Sequence, residues 1–187
     1  MRKTGRVWKW ISGTALAAVL LLVLAPQTAM ASESSDAAWN ALQEEFNSAS
    51  TDANTPTQIT LSGNVTAGEG NSALVIPTGR YVTLDLDGHT IDRGLTDQDA
   101  VVNGNVITVN GNLTLTDSSD NQNTSAYDGT GKLTGGNTTD NGGGVIVSGT
   151  FTMEGGTISG CEATNGGGVY VNSGKFNSGT FIMNGGS

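Results

Sequence analysis

The segment Asn141-Gly142-Gly143-Gly144-Val145-Ile146-Val147 returns 24 residues later as Asn165-Gly166-Gly167-Gly168-Val169-Tyr170-Val171. A second pair, Phe151-Thr152-Met153-Glu154-Gly155-Gly156 and Phe181-Ile182-Met183-Asn184-Gly185-Gly186, is offset by 30. A looser copy, Val109-Asn110-Gly111-Asn112-Leu113-Thr114-Leu115, aligns on Val147 to Met153 at an offset of 38. The apolar triplets keep their period of two, and the length differences fall in the Gly/Asn-rich stretches between them. A strand that recurs after about two dozen residues is expected where successive turns of a coil pair in parallel. A sandwich, built from hairpins, has no reason to repeat this way. The pattern therefore predicts a parallel β-solenoid, whose turns tolerate insertions.

Further short alternations fit the same picture: Ile59-Thr60-Leu61, Val82-Thr83-Leu84-Asp85-Leu86 and Leu113-Thr114-Leu115-Thr116. Each reads as a short strand with one buried face. Glycine accepts positive φ at the corners, and Asn tolerates it better than most residues. Asn141 and Asn165 are expected at one corner of adjacent coils with their amides stacked. Phe151 over Phe181, and Met153 over Met183, are expected inside the coil. One helical pattern precedes the strands, with Trp39, Leu42, Phe46 and Ala49 on a single face and Ser35 or Asp36 as N-cap. Solenoid ends expose unpaired strands, so this helix is expected to be a cap.

The segment Thr78-Gly79-Arg80-Tyr81-Val82-Thr83-Leu84-Asp85-Leu86-Asp87-Gly88-His89-Thr90-Ile91, with the later GGGV-x-V and GG-T-I-S-G pieces, resembles right-handed parallel β-helix proteins of the pectin-lyase-like superfamily. More narrowly, residues 38–187 are similar to adhesin-like surface proteins of Gram-positive gut bacteria. The family pattern has Asn where this chain has Asp87. The resemblance implies an all-β fold: a right-handed single-stranded parallel β-helix with a short N-terminal capping α-helix. That superfamily includes lyases, hydrolases and non-enzymatic surface proteins, so fold alone does not give activity.

The first 31 residues read as a secretory signal. A basic stretch from Arg2 to Lys9 precedes the apolar run Ala15 to Leu24, then Pro26 and the small-x-small site Ala29-Met30-Ala31. Ten strongly apolar residues are short for about 30 Å of hydrocarbon. The expected division is a signal peptide over 1–31, a capping helix and linker over 32–57 and β-helix coils over 58–187, with no membrane span after cleavage. Gly185-Gly186 is followed only by Ser187, which predicts a fragment of a longer protein.

Four of the eight basic residues, Arg2, Lys3, Arg6 and Lys9, lie in the leader. The remainder has four basic against seventeen acidic residues, a formal charge of −13. That excludes a nucleic-acid binder working by phosphate neutralisation. One Cys and one His exclude a disulfide scaffold and a His-cluster metal site. Cys161 reads as a small buried hydrophobe, and His89 as a corner or packing residue.

Two candidate sites remain. By alternation Ile146 and Tyr170 point outward, 24 residues apart, and would stand about 4.8 Å apart on one face of the coil, with Ile182 exposed on another. A flat aromatic among hydroxylated neighbours is a candidate sugar-stacking platform. Asp85 and Asp87 are candidate calcium ligands, with Arg80, Asp92, Arg93, Asp97 and Asp99 close in sequence. In the lyases of the superfamily, carboxylates from successive coils hold calcium and an arginine acts as base. Here the stacked strands offer Thr114, Thr116 and Thr152, and Thr cannot replace a carboxylate. The reading is a secreted or cell-surface stalk, adhesin-like or structural, which binds a polysaccharide, a host or cell-surface glycan or a protein. The alternatives are a polysaccharide lyase or glycoside hydrolase on the same scaffold, or the N-terminal spacer of a larger enzyme.

Overall fold

The computed structural model describes residues 30–95, 98–120, 128–175 and 178–187. All but the last two residues of the expected leader, and Asp97, lie outside them. Helix α1 (Met30–Ser48) starts two residues before Ser32. Ser35 and Asp36 are therefore inside the helix, not at its N-cap. The stretch ahead of Trp39 holds Met30, Ala31, Glu33, Ala37 and Ala38, all good helix formers, and the helix runs back through them.

Among the described residues, everything after the helix is short strand, turn or irregular chain. The chain runs through β1 (Thr57–Thr60), β2 (Val65–Thr66) and β3 (Leu74–Ile76). A second circuit follows as β4 (Tyr81–Asp85), β5 (Thr90–Asp92) and β6 (Ile107–Val109). The third is β7 (Asn112–Thr116), β8 (Lys132–Thr134), β9 (Asn137–Asn141) and β10 (Val145–Val147). The fourth is β11 (Thr150–Met153), β12 (Thr157–Ile158), β13 (Glu162–Asn165) and β14 (Val169–Val171), after which comes β15 (Thr180–Met183).

Corresponding strands of successive circuits pair. Sheet 1 has the order β1-β4-β7-β11-β15, sheet 2 β2-β5-β8-β12, sheet 3 β3-β6-β10-β14, and sheet 4 is the pair β9-β13. All pairings between these strands are parallel. The expected registers hold: Val147 pairs with Val109, and Phe151 with both Leu113 and Phe181. Among the described residues the protein is thus dominated by parallel β-sheets, with one helix.

Alternation sends one set of side chains into a shared core. On sheet 3, Leu74, Ile107 and Val145 align, as do Ile76, Val109 and Val147, and all six are fully buried. On sheet 1, Leu84, Leu115 and Met153 form a buried column. Phe151 and Phe181 stack with ring centroids 5.1 Å apart and planes 17° from parallel. Met183 shares the column of Met153 but is 53 % exposed, so the inward expectation fails for it. It stands on the outermost strand of sheet 1, with no further strand beyond it among the described residues.

Helix α1 lies against β2 and β3 and buries Trp39, Leu42 and Phe46, and the fourth residue of the expected face, Ala49, is buried one residue beyond its end. Its polar side chains bind the sheet edge. The Gln43 amide donates to Val75 O (2.9 Å) and accepts from Val75 N (2.8 Å), so one side chain stands in for a neighbouring strand on β3. Trp39 Nε1 donates to Ser72 O (3.1 Å), and Arg80 Nη1 donates to Ala49 O (2.6 Å) at the end of the helix. The helix thus lies over the edge strands β2 and β3, which would otherwise present unpaired backbone groups.

Candidate functional site

The outward positions of sheet 3 form one column. Val75 pairs with Thr108, Thr108 with Ile146, and Ile146 with Tyr170. Parallel pairing sets neighbours about 4.8 Å apart, so the column presents an apolar, a hydroxyl, an apolar and an aromatic group in a line. Ile146 and Tyr170 are brought together as expected. They are half-buried, however, not fully exposed. The cause is local: a side chain built on Gly142 would collide with Ile146 Cγ1 (2.6 Å) and Tyr170 Cβ (3.0 Å), and one on Gly166 would meet Tyr170 Cβ (3.1 Å). Both outward side chains thus lie back against the glycine backbone of the preceding corner. Ile182, on sheet 1, is 42 % exposed as expected.

That corner is built from the repeated glycines. Gly142 and Gly166 both have positive φ (72° and 65°). Gly143 and Gly144 have no room for a Cβ, because the carbonyls of Gly167 and Gly168 in the next circuit occupy the space. Close approach lets the backbone ladder run unbroken round the corner. Gly142 N donates to Asn165 O, Gly143 N to Gly166 O, Gly144 N to Gly167 O and Val145 N to Gly168 O, all at 2.8–3.2 Å. The expected amide stack is present too, with Asn165 Nδ2 donating to Asn141 Oδ1 (2.7 Å).

The acidic corner is occupied differently. Asp85 Oδ1 accepts from Asp87 N (3.0 Å) and Ser118 N (2.8 Å), and Asp87 Oδ1 accepts from Ser118 Oγ (3.0 Å). Asp87 and Gly88 both take positive φ (44° and 79°), and the turn closes through His89 N to Leu86 O (2.8 Å). His89 is half-buried at this corner, and its carbonyl accepts from Lys132 N (3.0 Å). Asp85 pairs with Thr60 and Thr116, and Thr83 with Gln58 and Thr114, so the strands on either side supply no second carboxylate to this face. Among the described residues no group of three or more His, Cys, Asp or Glu side chains is placed to hold a metal.

The residue that organises this corner is one the sequence did not single out. Asp117 is 4 % exposed, and its Oδ1 accepts from Gly88 N (2.8 Å), Ser119 N (3.3 Å) and Ser119 Oγ (2.8 Å). Its Oδ2 accepts from Gly131 N (2.7 Å). One carboxylate therefore ties the turn of the second circuit to two segments of the third. Thr116, Asp117, Ser118 and Glu154 line a small depression beside it, of about 270 Å³. A Ser-Ser pair after an Asp is the only sequence sign of such a turn.

The remaining candidates are dispersed. Arg80 is spent on the helix terminus, and Asp92 Oδ1 accepts from Gly94 N (2.8 Å). Cys161 is half-buried against the core, and burial pushes its thiol above the ordinary value. Arg93 is buried at the corner that follows β5, and Asp99 lines the cavity beside it. No family model matches the chain, and neither a curated protein nor a solved structure does. Among the described residues no helix is long and apolar enough to cross a membrane.

Proposed function

We propose that the chain is a right-handed parallel β-helix of the pectin-lyase-like kind, exported and displayed as an adhesin-like or structural stalk that binds glycan or protein along the outer face of sheet 3. The observation that carries this reading is the in-register column Val75–Thr108–Ile146–Tyr170. Its members are held by a continuous parallel ladder, so binding there costs little ordering of the protein. The Tyr170 ring offers a face to a sugar, with the Asn141 and Asn165 amides on the adjoining corner as hydrogen-bonding partners. Single contacts of this type are weak, and a surface that repeats them along its length gains by avidity.

Export rests on the leader, whose basic, apolar and small-x-small parts follow the order that signal peptidase reads. The test has two parts. Secretion of the full chain should remove the residues through Ala31, as N-terminal sequencing would show. Retention on a panel of immobilised polysaccharides should then fall about threefold to tenfold in Tyr170→Ala, the size expected for losing one aromatic face. Retention unchanged by that substitution removes the stacking platform from the proposal.

A further inference from the structure

We propose that Asn165 is a site of spontaneous deamidation, and that the fold selects it from the five Asn-Gly pairs of the chain. The pairs are Asn103-Gly104, Asn110-Gly111, Asn141-Gly142, Asn165-Gly166 and Asn184-Gly185. The chemistry is intrinsic to each of them. The glycine nitrogen attacks the asparagine Cγ, and the side-chain nitrogen leaves as ammonia. Water then opens the resulting succinimide ring at either carbonyl, giving aspartate or isoaspartate. Glycine leaves the attack unhindered because it has no side chain.

The fold treats the attacking nitrogens differently. Gly104 N donates to Val101 O (3.2 Å), Gly111 N to Ile76 O (3.1 Å), Gly142 N to Asn165 O (2.8 Å) and Gly185 N to Met153 O (3.2 Å). Gly166 N donates to nothing among the described residues. Gly166 is also the one exposed glycine of the five, since Gly104, Gly111 and Gly142 are buried and Gly185 is half-buried. A bonded N–H must leave its acceptor before its nitrogen can turn on the side chain, and a buried one must also be reached by water. Each of those openings costs free energy, and Gly166 needs neither.

Asn141 is the matched copy. Both asparagines are followed by three glycines and a valine, and both next residues take positive φ, 72° at Gly142 and 65° at Gly166. Local sequence and corner conformation alone give equal rates, whereas the backbone ladder makes them unequal. The product alters the corner as well. Asn165 Nδ2 donates to Asn141 Oδ1 (2.7 Å), so conversion removes that donor and sets a carboxylate against an amide oxygen. An aged chain would carry one more negative charge beside Tyr170.

The test uses the full chain, incubated at mildly alkaline pH in water labelled with heavy oxygen. Peptide mapping by mass spectrometry then counts labelled Asp and isoAsp at each of the five positions. In the folded chain Asn165 should convert about tenfold or more faster than Asn141, because only Asn141 waits on a local opening. In concentrated urea the two copies should convert at similar rates, because the ladder is gone. The proposal is overturned if folded Asn141 keeps pace with Asn165, if any of the other three pairs outruns it, or if no position converts. It is overturned too if the advantage of Asn165 survives in urea, which would assign it to local sequence and not to the fold.

Discussion

Two corners of this molecule turn the chain by opposite means. At the Gly142–Gly144 corner the backbone does the work: circuits approach so closely that no side chain fits, and four successive N–H groups bond to the next circuit. At the Asp87–Gly88 corner a side chain does it, with the buried Asp117 carboxylate gathering backbone N–H groups from Gly88, Ser119 and Gly131. The first device recurs in two successive circuits, Gly142–Gly144 and Gly166–Gly168, and so leaves a repeat in the sequence. The Asp117 carboxylate acts on unlike partners at one corner and leaves no repeat.

The side-chain corner should be the easier to break. Asp117→Ala removes the acceptor for three backbone donors, of which Gly131 N is buried and Gly88 N and Ser119 N are partly so, and should cost about 2–4 kcal/mol. Urea unfolding followed by circular dichroism measures it. Asp117→Asn keeps one acceptor oxygen and should recover part of the loss. If Asp117→Ala unfolds at the same urea concentration as the parent, the carboxylate is not what holds the turn.

The backbone corner should fail through sterics. A methyl group on Gly143 meets carbonyl oxygens of both Glu162 and Gly167, and backbone cannot rotate out of the way as a side chain can. Gly143→Ala is expected to cost about 1–3 kcal/mol. Gly167→Ala is the matched control, because a methyl group there meets only Cys161 O, at 3.0 Å. Equal losses at the two glycines would mean that general helix-and-strand propensity, not close approach, sets the cost. The amide stack beside this corner is a smaller part of it: Asn165→Ala gives up one exposed hydrogen bond and should cost about 0.5 kcal/mol.

This contrast also explains what was legible in the sequence. The glycine corner, the Phe151–Phe181 stack and the Asn141–Asn165 pair could all be read, because each is a residue meeting its own copy at a known offset. The outward direction of Ile146 and Tyr170 was legible from alternation. Their half-burial was not, because it comes from the Gly142 backbone folding under them. Asp117, Gln43 and Arg93 act on unlike partners far away in the chain, and no period announces them. Strand β9 is invisible for a related reason. Asn137-Thr138-Thr139-Asp140-Asn141 has no apolar residue, and its pairing is fixed by the strands on either side of it. The early start of α1 belongs with these: Ser35 and Asp36 read as an N-cap, while helix propensity extends further back through Ala31 and Met30.

A third turn, between α1 and β1, sharpens the comparison from its weak end. Asp52 holds it by side chain as Asp117 does, accepting from Asn54 N (2.9 Å), Asn54 Nδ2 (3.1 Å) and Thr55 Oγ1 (3.2 Å). It differs in being fully exposed, so water can replace each bond. The backbone N–H of Asn54, followed by the Asn54 and Thr55 side chains, holds its carboxyl below the ordinary Asp value. A carboxyl lowered on folding adds stability above its unfolded pKa, and that contribution fades as the pH falls through the folded value. Asp52→Asn should therefore leave neutral-pH stability almost unchanged and flatten slightly the loss of stability below about pH 4, where an unperturbed Asp titrates. Urea midpoints at neutral and acid pH measure both effects. A loss at neutral pH as large as that of Asp117→Ala would show that exposure does not separate the two turns, and that hydrogen bonds to a carboxylate count equally in water and out of it.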